Sequence, residues 1–375
     1  MKVLFISDSC DFKKGKGVVS KSNLEILNEI FSPENVMIIA LKGISRKNDF
    51  SKYNENEMVE FQEYKNKYQS LFNLLQLKHN HLSFSTEEKI TKIIEKSELV
   101  FIDDSIFGRL SRICYNKNVK SICFFHNIRR NLAFKWLKYH GVKLLPSYIS
   151  TLYNESLAAK YSSINIALNK RDAELYKHYY RRDIDYILPV QIREPECFSL
   201  VRKAIVYDLL FVGADYYPNI EGLRWFVKKV LPLVPHVNLA VAGFGMEKYI
   251  DEFSTIGNVH ILGTVDNISD LYLSSKIVIL PIFDGGGMKV KTAEALMHGN
   301  YLIGTRESLI GYEETDDIFI CDDEFSFKNN ILDVLKNNNK NWFSVLNRNL
   351  YIKNHNFKYK SSEIEELMVN ENIIF

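Results

Sequence analysis

Residues 276–299 read KIVILPIFDGGGMKVKTAEALMHG, and this stretch decides the fold class. Its apolar run from Ile277 to Ile282 predicts a buried strand of a parallel sheet, because helices cover both faces of such sheets. A glycine-rich turn follows, and then a helix that Gly299 is placed to end. A strand, a glycine turn and a helix N-terminus together predict an anion site, since free backbone N–H groups and the helix dipole both point at the turn.

Two lysines lie in the first turn of that predicted helix. Lys289 and Lys291 are unfavourable there, because the N-terminus of a helix already carries a partial positive charge. A bound anion would offset them, and a residue that breaks a local rule often marks a functional site. We therefore predict that the turn and the lysines bind a diphosphate. The alternative is a solvated helix face.

Length and composition limit the class of protein. The chain has 375 residues, of which 46% are hydrophobic and 25% charged, and its formal net charge is +2. These values indicate a globular protein of about two domains and argue against a general nucleic-acid binder. Five scattered cysteines without a Cys-x-x-Cys pair are typical of a reducing cytoplasm. Without a signal-peptide pattern or a membrane-spanning apolar run, we expect a cytoplasmic protein that is either soluble or peripheral at a membrane.

Apolar strands alternate with helical patterns along the chain, and the alternation restarts after Ser199. This order predicts an α/β fold with two doubly wound parallel sheets, in domains that span 1–195 and 196–350. Residues 351–375 are expected to form a helix that crosses back to the first domain. The ligands of such sheets bind beyond the carboxyl ends of the strands, so two facing sheets would enclose a cleft.

Each predicted domain opens with a strand and a loop that contains glycine. The loop holds Gly15 and Gly17 in the first domain, and it runs from Gly213 to Gly222 in the second. Two polar stretches, 42–68 and 337–341, predict solvated surface rather than core.

The second half of the chain resembles the GT-B glycosyltransferases, most closely the family-four branch of retaining enzymes that use nucleotide sugars. The matching stretches are Phe211-Val-Gly213, Pro218-Asn219, Trp225-Phe226, Ala242-Gly-Phe-Gly245, Gly263-Thr-Val-Asp266, Leu271-Tyr272, the glycine and lysine stretch, Gly304-Thr-Arg306 and Gly311. The first half matches more loosely, in the loop with Gly15 and Gly17, Phe124-Phe-His-Asn127, Glu155-Ser156 and 169–172. The resemblance implies a GT-B fold, with two Rossmann-like domains that face each other across a cleft.

Two positions depart from the pattern of that family. Relatives often carry a pair of glutamates, of which Glu294 holds the second position here while Gly286 stands at the first. Relatives also place an arginine and a lysine after the first strand of the second domain, and the loop from Gly213 has neither. The negative charge of the donor phosphates is then expected to be neutralised by Lys289, Lys291 and Arg306.

The resemblance assigns a donor site to the second domain. The expected donor contacts are Gly213, Val265, Gly285, Gly286, Gly287, Met288, Lys289, Lys291, Glu294 and Arg306. Glu294 would accept both ribose hydroxyls, and the alternative is a surface glutamate that pairs with Lys291 or His298. Val265 would hold the base through its backbone. Together with His126, Lys291 and Glu294 are the expected catalytic residues.

His126 ends an apolar stretch of the first half, at the carboxyl end of a predicted strand. The resemblance implies that it contacts the donor sugar near the reacting carbon, whereas the alternative is a histidine that packs in the core. Asp103, Asp104 and Ser105 end the preceding strand. They are expected either to bind acceptor hydroxyls, on the same side as Gly15 and Gly17, or to cap the following helix.

Residues 128–145 mix basic with bulky apolar side chains. This mixture predicts either contact with a membrane interface, where a lipid-linked acceptor would lie, or packing into the core.

Together these features imply a retaining glycosyltransferase that needs no metal, a hexosyltransferase by resemblance. It would move a sugar from a nucleotide diphosphate sugar to a glycan or lipid-linked acceptor in bacterial surface polysaccharide synthesis. No resident cofactor is expected, because the nucleotide sugar is a co-substrate. Two alternatives are a nucleotide-sugar epimerase or hydrolase on the same fold, and a catalytically silent GT-B partner subunit, which Gly286 suggests.

Overall fold

The computed structural model describes residues 1–8, 15–42, 58–62, 67–78, 82–195, 198–253, 256–285, 287–336 and 342–373. The chain forms two compact units, Met1–Pro189 with Lys360–Phe375 as unit 1, and Val190–Tyr359 as unit 2. Unit 2 therefore starts before the expected boundary at 196 and extends beyond 350.

Hydrogen bonds explain why the segment after residue 350 stays with unit 2. The Tyr351 hydroxyl donates to the carbonyl of Ile192 at 2.8 Å, and His355 Nδ1 lies 2.9 Å from the carbonyl of Val190. The last residues of the chain, from Lys360, group with unit 1.

Unit 1 contains a parallel sheet of seven strands, counted over its described residues, in the order β3-β2-β1-β4-β5-β6-β7. The strands are β1 (Val3–Ser7), β2 (Val36–Lys42), β3 (Met58–Gln62), β4 (Leu99–Ile102), β5 (Lys120–Phe125), β6 (Ile164–Ala167) and β7 (Tyr186–Ile187). Its helices are α1 (Gly15–Phe31), α2 (Lys67–Leu75), α3 (Phe84–Ile94), α4 (Gly108–Asn116), α5 (Arg129–His140), α6 (Leu145–Tyr161) and α7 (Lys170–Tyr180).

The sequence prediction of solvated surface over 42–68 is wrong for β3. This strand pairs in parallel with β2 at the edge of the sheet, and Phe61 packs against the buried core of unit 1. From Val59 onward its residues alternate between apolar and polar, as in an edge strand, but the polar residues around the strand hide the pattern. The other polar stretch, 337–341, lies outside the described residues.

Unit 2 contains a parallel sheet of six strands, again counted over the described residues, in the order β10-β9-β8-β11-β12-β13. The strands are β8 (Tyr207–Val212), β9 (Leu239–Ala242), β10 (Val259–Gly263), β11 (Ser275–Leu280), β12 (Tyr301–Gly304) and β13 (Ile318–Ile320). The helices are α8 (Tyr217–Trp225), α9 (Ile250–Phe253), α10 (Ile268–Leu273), α11 (Val290–Met297), α12 (Glu324–Lys336) and α13 (Val345–Asn354). The last helix, α14 (Phe357–Asn370), begins in unit 2 and belongs to unit 1 from Lys360 onward.

The sheet of unit 2 is covered on both faces. Leu209 and Phe211 of β8 belong to one buried cluster, whereas Leu210 between them belongs to another. Ile277 and Val278 of β11 divide between the same two clusters. Successive side chains of a strand point to opposite faces, so helices on both sides bury a strand that is apolar throughout. The predicted α/β class with doubly wound sheets is confirmed.

Both predicted glycine loops turn out to be partly helical. α1 begins at Gly15, which places Gly15 and Gly17 in its first turn. Gly222 lies within α8, where a Cβ atom would come 1.9 Å from the carbonyl oxygen of Pro281. This glycine therefore serves the close packing of α8 on the backbone after β11, rather than a turn.

Candidate functional site

The stretch 276–299 folds around β11 and α11. β11 runs from Ser275 to Leu280 and ends before Pro281, so it begins and ends two residues earlier than the predicted run Ile277–Ile282. Lys289 occupies the N-cap position of α11 and makes no side-chain capping bond. Gly299 adopts φ 65, a left-handed conformation that ends helices, and this confirms its predicted role.

The loop between β11 and α11 needs glycine at two described positions. Gly285 has φ 152° and Gly287 has φ 65°, backbone angles that residues other than glycine rarely adopt. Met288 beside them is buried. Gly286, a predicted donor contact, lies outside the described residues.

Lys291, in the first turn of α11, points to the end of β8. Its Nζ donates to Asn219 Oδ1 at 2.7 Å and lies 5.0 Å from the centre of the Phe211 ring. A Cβ atom at Gly213 would lie 3.1 Å from the same Nζ, so the glycine leaves room for the ammonium group. Two predicted donor contacts, Gly213 and Lys291, are thus brought together.

The ammonium group of Lys291 lacks a salt bridge to any carboxylate among the described residues. Burial, reinforced by the charge of Lys289, lowers the pKa of Lys291 to about 7, although Glu294 opposes the shift. A half-buried cation without a counterion is costly, and a bound anion would stabilise its charged form.

Lys289 is held differently. Its Nζ forms an ion pair with Glu307 at 3.0 Å and donates to the carbonyl of Gly287 at 3.1 Å. A Cβ atom at Gly285 would lie 3.3 Å from the Nζ, so Lys289 lies against the glycine loop. The Tyr312 hydroxyl donates to its carbonyl at 2.7 Å and fixes the start of α11. Lys289 therefore reaches the loop with part of its charge already offset.

Glu294 lies one helical turn after Lys291 and is half-buried. Its Oε2 accepts a hydrogen bond from the Tyr272 hydroxyl at 3.0 Å, and the Tyr272 ring stacks on His298 at 4.7 Å. Burial raises the pKa of Glu294, although Tyr272 and Lys291 oppose the shift. A half-buried carboxylate that a buried tyrosine orients differs from the surface glutamate, paired with Lys291 or His298, of the alternative interpretation.

The remaining predicted donor contacts are more dispersed. Arg306 follows β12, which neighbours β11, and its mostly exposed side chain lies 3.7 Å from Asp322. Val265 is half-buried after β10, which stands three strands from β11 in the sheet. The carboxyl ends of β8, β9 and β10 carry Gly213, Gly243 and Gly263, whose backbone amides and carbonyls connect the strands.

In unit 1, charged residues collect at the carboxyl ends of β1, β4 and β5. Asp104, fully buried after β4, accepts from the backbone N–H of Ile106 at 3.2 Å, so it caps the turn as the alternative interpretation predicted. Its carboxylate also pairs with Lys16 at 2.7 Å and with Arg129. Burial would raise the pKa of Asp104, but Arg129 and Lys16 outweigh it and hold the pKa well below its usual range.

His126 and Asp103 meet at the same edge. His126 follows β5 and is 5% exposed, and its Nε2 lies 3.3 Å from Asp103 Oδ1. Asp103 also accepts from the Ser7 hydroxyl at 2.8 Å and from the side-chain amide of Asn23 at 2.9 Å. Asp103, Asp104 and Ser105 are all fully buried, so the structure assigns the aspartates to internal contacts; acceptor binding by these residues stays a prediction.

Sequence reasoning missed three partners of the predicted donor residues. Asn219 holds Lys291, Glu307 holds Lys289 and Tyr272 holds Glu294. Asn219 and Tyr272 lie in stretches that resemble the family, which was the available signal. No local pattern marks Glu307.

The match to a known family covers most of unit 2. Residues 207–337 match the family described as Glycosyl transferases group 1. An uncharacterized 44.6 kDa protein in the cps region of Klebsiella pneumoniae is 28% identical over 148 residues. That match spans 35% of this chain and 37% of the length of the Klebsiella protein.

Solved structures share the fold over nearly the whole chain. Anabaena Alr3699/HepE in complex with UDP and glucose has a TM-score of 0.68 at 11% identity, covering 98% of this chain and 99% of that chain. The apo form of the lipopolysaccharide outer core galactosyltransferase WaaB has a TM-score of 0.59 at 13% identity, covering 97% and 99%. At these identities the likeness is one of fold. The chain therefore has the GT-B fold, and its residues 207–337 resemble the glycosyl transferases of group 1.

Proposed function

We propose that this glycosyltransferase moves a sugar from a nucleotide diphosphate sugar to a glycan or lipid-linked acceptor, with retention of the anomeric configuration and without a metal ion. The anion site at the start of α11 carries the proposal. It combines a glycine loop, a helix N-terminus and two lysines, of which Lys291 lacks a salt bridge among the described residues.

The charges of this site suit the departure of a diphosphate. Breaking the bond between the anomeric carbon and the phosphate oxygen places negative charge on the leaving group, and preorganised cations and N–H groups stabilise it. Lys291 and Lys289 would supply the positive charge that a divalent ion supplies in metal-dependent enzymes. The acceptor hydroxyl would attack from the same face and pass its proton to the leaving phosphate, so no strong general base is required.

The comparisons support the class of substrate. The Anabaena structure with the same fold is a complex with UDP and glucose, and the Klebsiella relative comes from a cps region. A sugar nucleotide as donor and a bacterial surface polysaccharide as product are consistent with both.

A panel of nucleotides and a chelator test the proposal. One of UDP, GDP, ADP and dTDP is expected to raise the melting temperature, because a ligand that binds only the folded state stabilises it. With labelled donor and an acceptor extract, transfer should continue in excess EDTA, and NMR of the product should give the anomeric configuration of the donor. Complete loss of transfer in EDTA, restored by Mg²⁺ or Mn²⁺, would refute metal independence. Turnover of the donor without any acceptor product would instead indicate a hydrolase or an epimerase.

Glu294 provides a test of the ribose contact. We expect Glu294→Gln to weaken donor affinity roughly tenfold or more and to lower turnover as well, because the amide keeps the size but loses a charged acceptor. Steady-state kinetics over a range of donor concentrations measures both effects. Tyr272→Phe is the matched control, since it keeps the ring stacked on His298 but frees the carboxylate. Wild-type kinetics in Glu294→Gln would refute the ribose contact.

A further inference from the structure

The helices of unit 1 expose an unusual amount of apolar surface. None of the residues of α5 is buried, and its large aromatic side chains Trp136 and Tyr139 are 54% and 85% exposed. Val142, in the short 3-10 turn Val142–Leu144 after α5, is 84% exposed. Packing into the core, one of the two interpretations of 128–145, is therefore wrong for α5.

A second helix adds to this surface. Phe72 and Leu75 of α2 are 59% and 66% exposed, although large apolar side chains are usually buried. Leu77 and Lys78, just after α2, attach it to α6. Their carbonyls accept hydrogen bonds from Asn154 Nδ2 and Ser150 Oγ, both at 3.0 Å.

α6 joins the two exposed regions. On its side toward α5, the Tyr148 ring lies 6.0 Å from Phe134, whereas Ser150 bonds to the segment after α2. Successive residues of a helix are about 100° apart, so Tyr148 and Ser150 point to opposite sides of α6. Ile149 lies between them and is exposed. The outer surface therefore runs from α5 across α6 to α2.

This surface is also strongly basic. Residues 67–78 and 128–149 contain no aspartate or glutamate. Lys135, Lys138 and Lys143 are exposed and form no ion pairs with described residues, and Lys138 Nζ lies 4.8 Å above the Phe134 ring. Aromatic side chains beside unpaired lysines suit the interface of an anionic bilayer, where the rings enter the headgroup layer and the lysines meet lipid phosphates.

We propose that this helical face, made of Phe72, Leu75, Trp136, Tyr139, Val142 and Ile149, docks unit 1 on an anionic lipid bilayer. A second copy of the chain fits less well, because a two-fold contact would bring the same unpaired lysines together. Within the described residues no helix is long and apolar enough to cross a membrane, so the contact would be peripheral. The proposal goes beyond sugar transfer and does not depend on the donor site.

Vesicle flotation of the full chain tests this proposal. The protein should float with vesicles that contain phosphatidylglycerol, bind phosphatidylcholine vesicles weakly, and detach as salt rises. Replacing three lysines together, as Lys135→Gln, Lys138→Gln and Lys143→Gln, should lower partitioning roughly a hundredfold, since each basic residue near an anionic surface contributes about fivefold. Trp136→Ser with Tyr139→Ser should lower it at least roughly tenfold by removing apolar insertion.

A control variant and a test for a second copy of the chain on this face complete the experiment. Phe325→Ser, which removes a 61% exposed ring from α12 of unit 2, should float like the wild type. Unchanged melting curves establish that each variant is folded. Flotation that the lysine and aromatic variants leave unaltered would overturn the proposal. So would sedimentation evidence for a dimer that Trp136→Ser dissociates, because the face would then belong to a second copy.

Discussion

Lys291→Ala is expected to weaken the binding of the free nucleoside diphosphate by roughly tenfold to a hundredfold, the range for a hydrogen bond to a charged group. The physical reason is the state of this lysine before binding. It is half-buried and is held by the neutral oxygen of Asn219 rather than by a carboxylate. A diphosphate would therefore be its first full counterion, and the alanine variant loses the whole interaction. Calorimetry with the nucleotide that the thermal panel selects measures the loss.

The pKa of Lys291 gives this prediction a second signature. Without nucleotide its pKa is lowered to about 7, and a bound diphosphate should raise it by stabilising the charged form. Below pH 7 the lysine is already protonated, so binding takes up no proton there. Above pH 7 binding must also protonate the lysine, and affinity should fall up to about tenfold per pH unit. The second phosphate ionisation, near pH 6, is already about nine-tenths complete at pH 7 and adds little to this dependence. In Lys291→Ala this pH dependence should disappear.

The neighbouring lysine supplies the control. Lys289 already pairs with Glu307 at 3.0 Å, so Lys289→Ala should weaken nucleotide binding less than Lys291→Ala. Glu307→Gln should tighten it, because the substitution removes the carboxylate that pairs with Lys289 and thus a negative charge beside the anion site. Unchanged affinity in the variant that lacks both lysines would refute the diphosphate site. Equal losses in the two single variants would show that Glu307 does not restrain Lys289.

The sequence predicted the sheets well because their strands are short apolar runs buried on both faces. β4 is such a run, with the polar residues Glu98 and Asp103 directly before and after it. β3 escaped prediction because an edge strand needs only alternate apolar residues. Gly222 was misplaced because its role is contact with the backbone of Pro281, which is distant in sequence.

Only part of the candidate site could be predicted, because some of its contacts join residues that are distant in sequence. Lys291 and Glu294 stand on one helix, and their spacing is visible in the sequence. Their partners Asn219 and Tyr272 lie on other elements, so only the fold brings them together. The pairing of His126 with Asp103 likewise depends on the order of parallel strands, since β4 and β5 are neighbours in the sheet.

His126→Ala is expected to lower turnover at least roughly a hundredfold while nucleotide affinity stays unchanged, the pattern for a contact that forms mainly in the transition state. His126 belongs to unit 1, whereas the residues proposed to hold the nucleotide belong to unit 2. Asp103 Oδ1 lies 3.3 Å from its Nε2, close enough to influence the position of the ring, although this nitrogen makes no hydrogen bond with the described residues. Asp103→Asn should then lower turnover less than His126→Ala, because it acts only through the histidine.

The alternative interpretation makes His126 a packing residue. The buried His126 ring supports it, because its centre lies 4.8 Å from the centre of the Phe124 ring. Truncation of a packed ring should first lower the melting temperature. Melting temperature, nucleotide affinity and turnover must therefore be measured on one sample of each variant. A melting loss of several degrees with normal turnover at low temperature would leave His126 structural. Unchanged melting and affinity with the expected fall in turnover would place the imidazole at the reacting sugar, because a contact made mainly in the transition state lowers turnover without lowering nucleotide affinity.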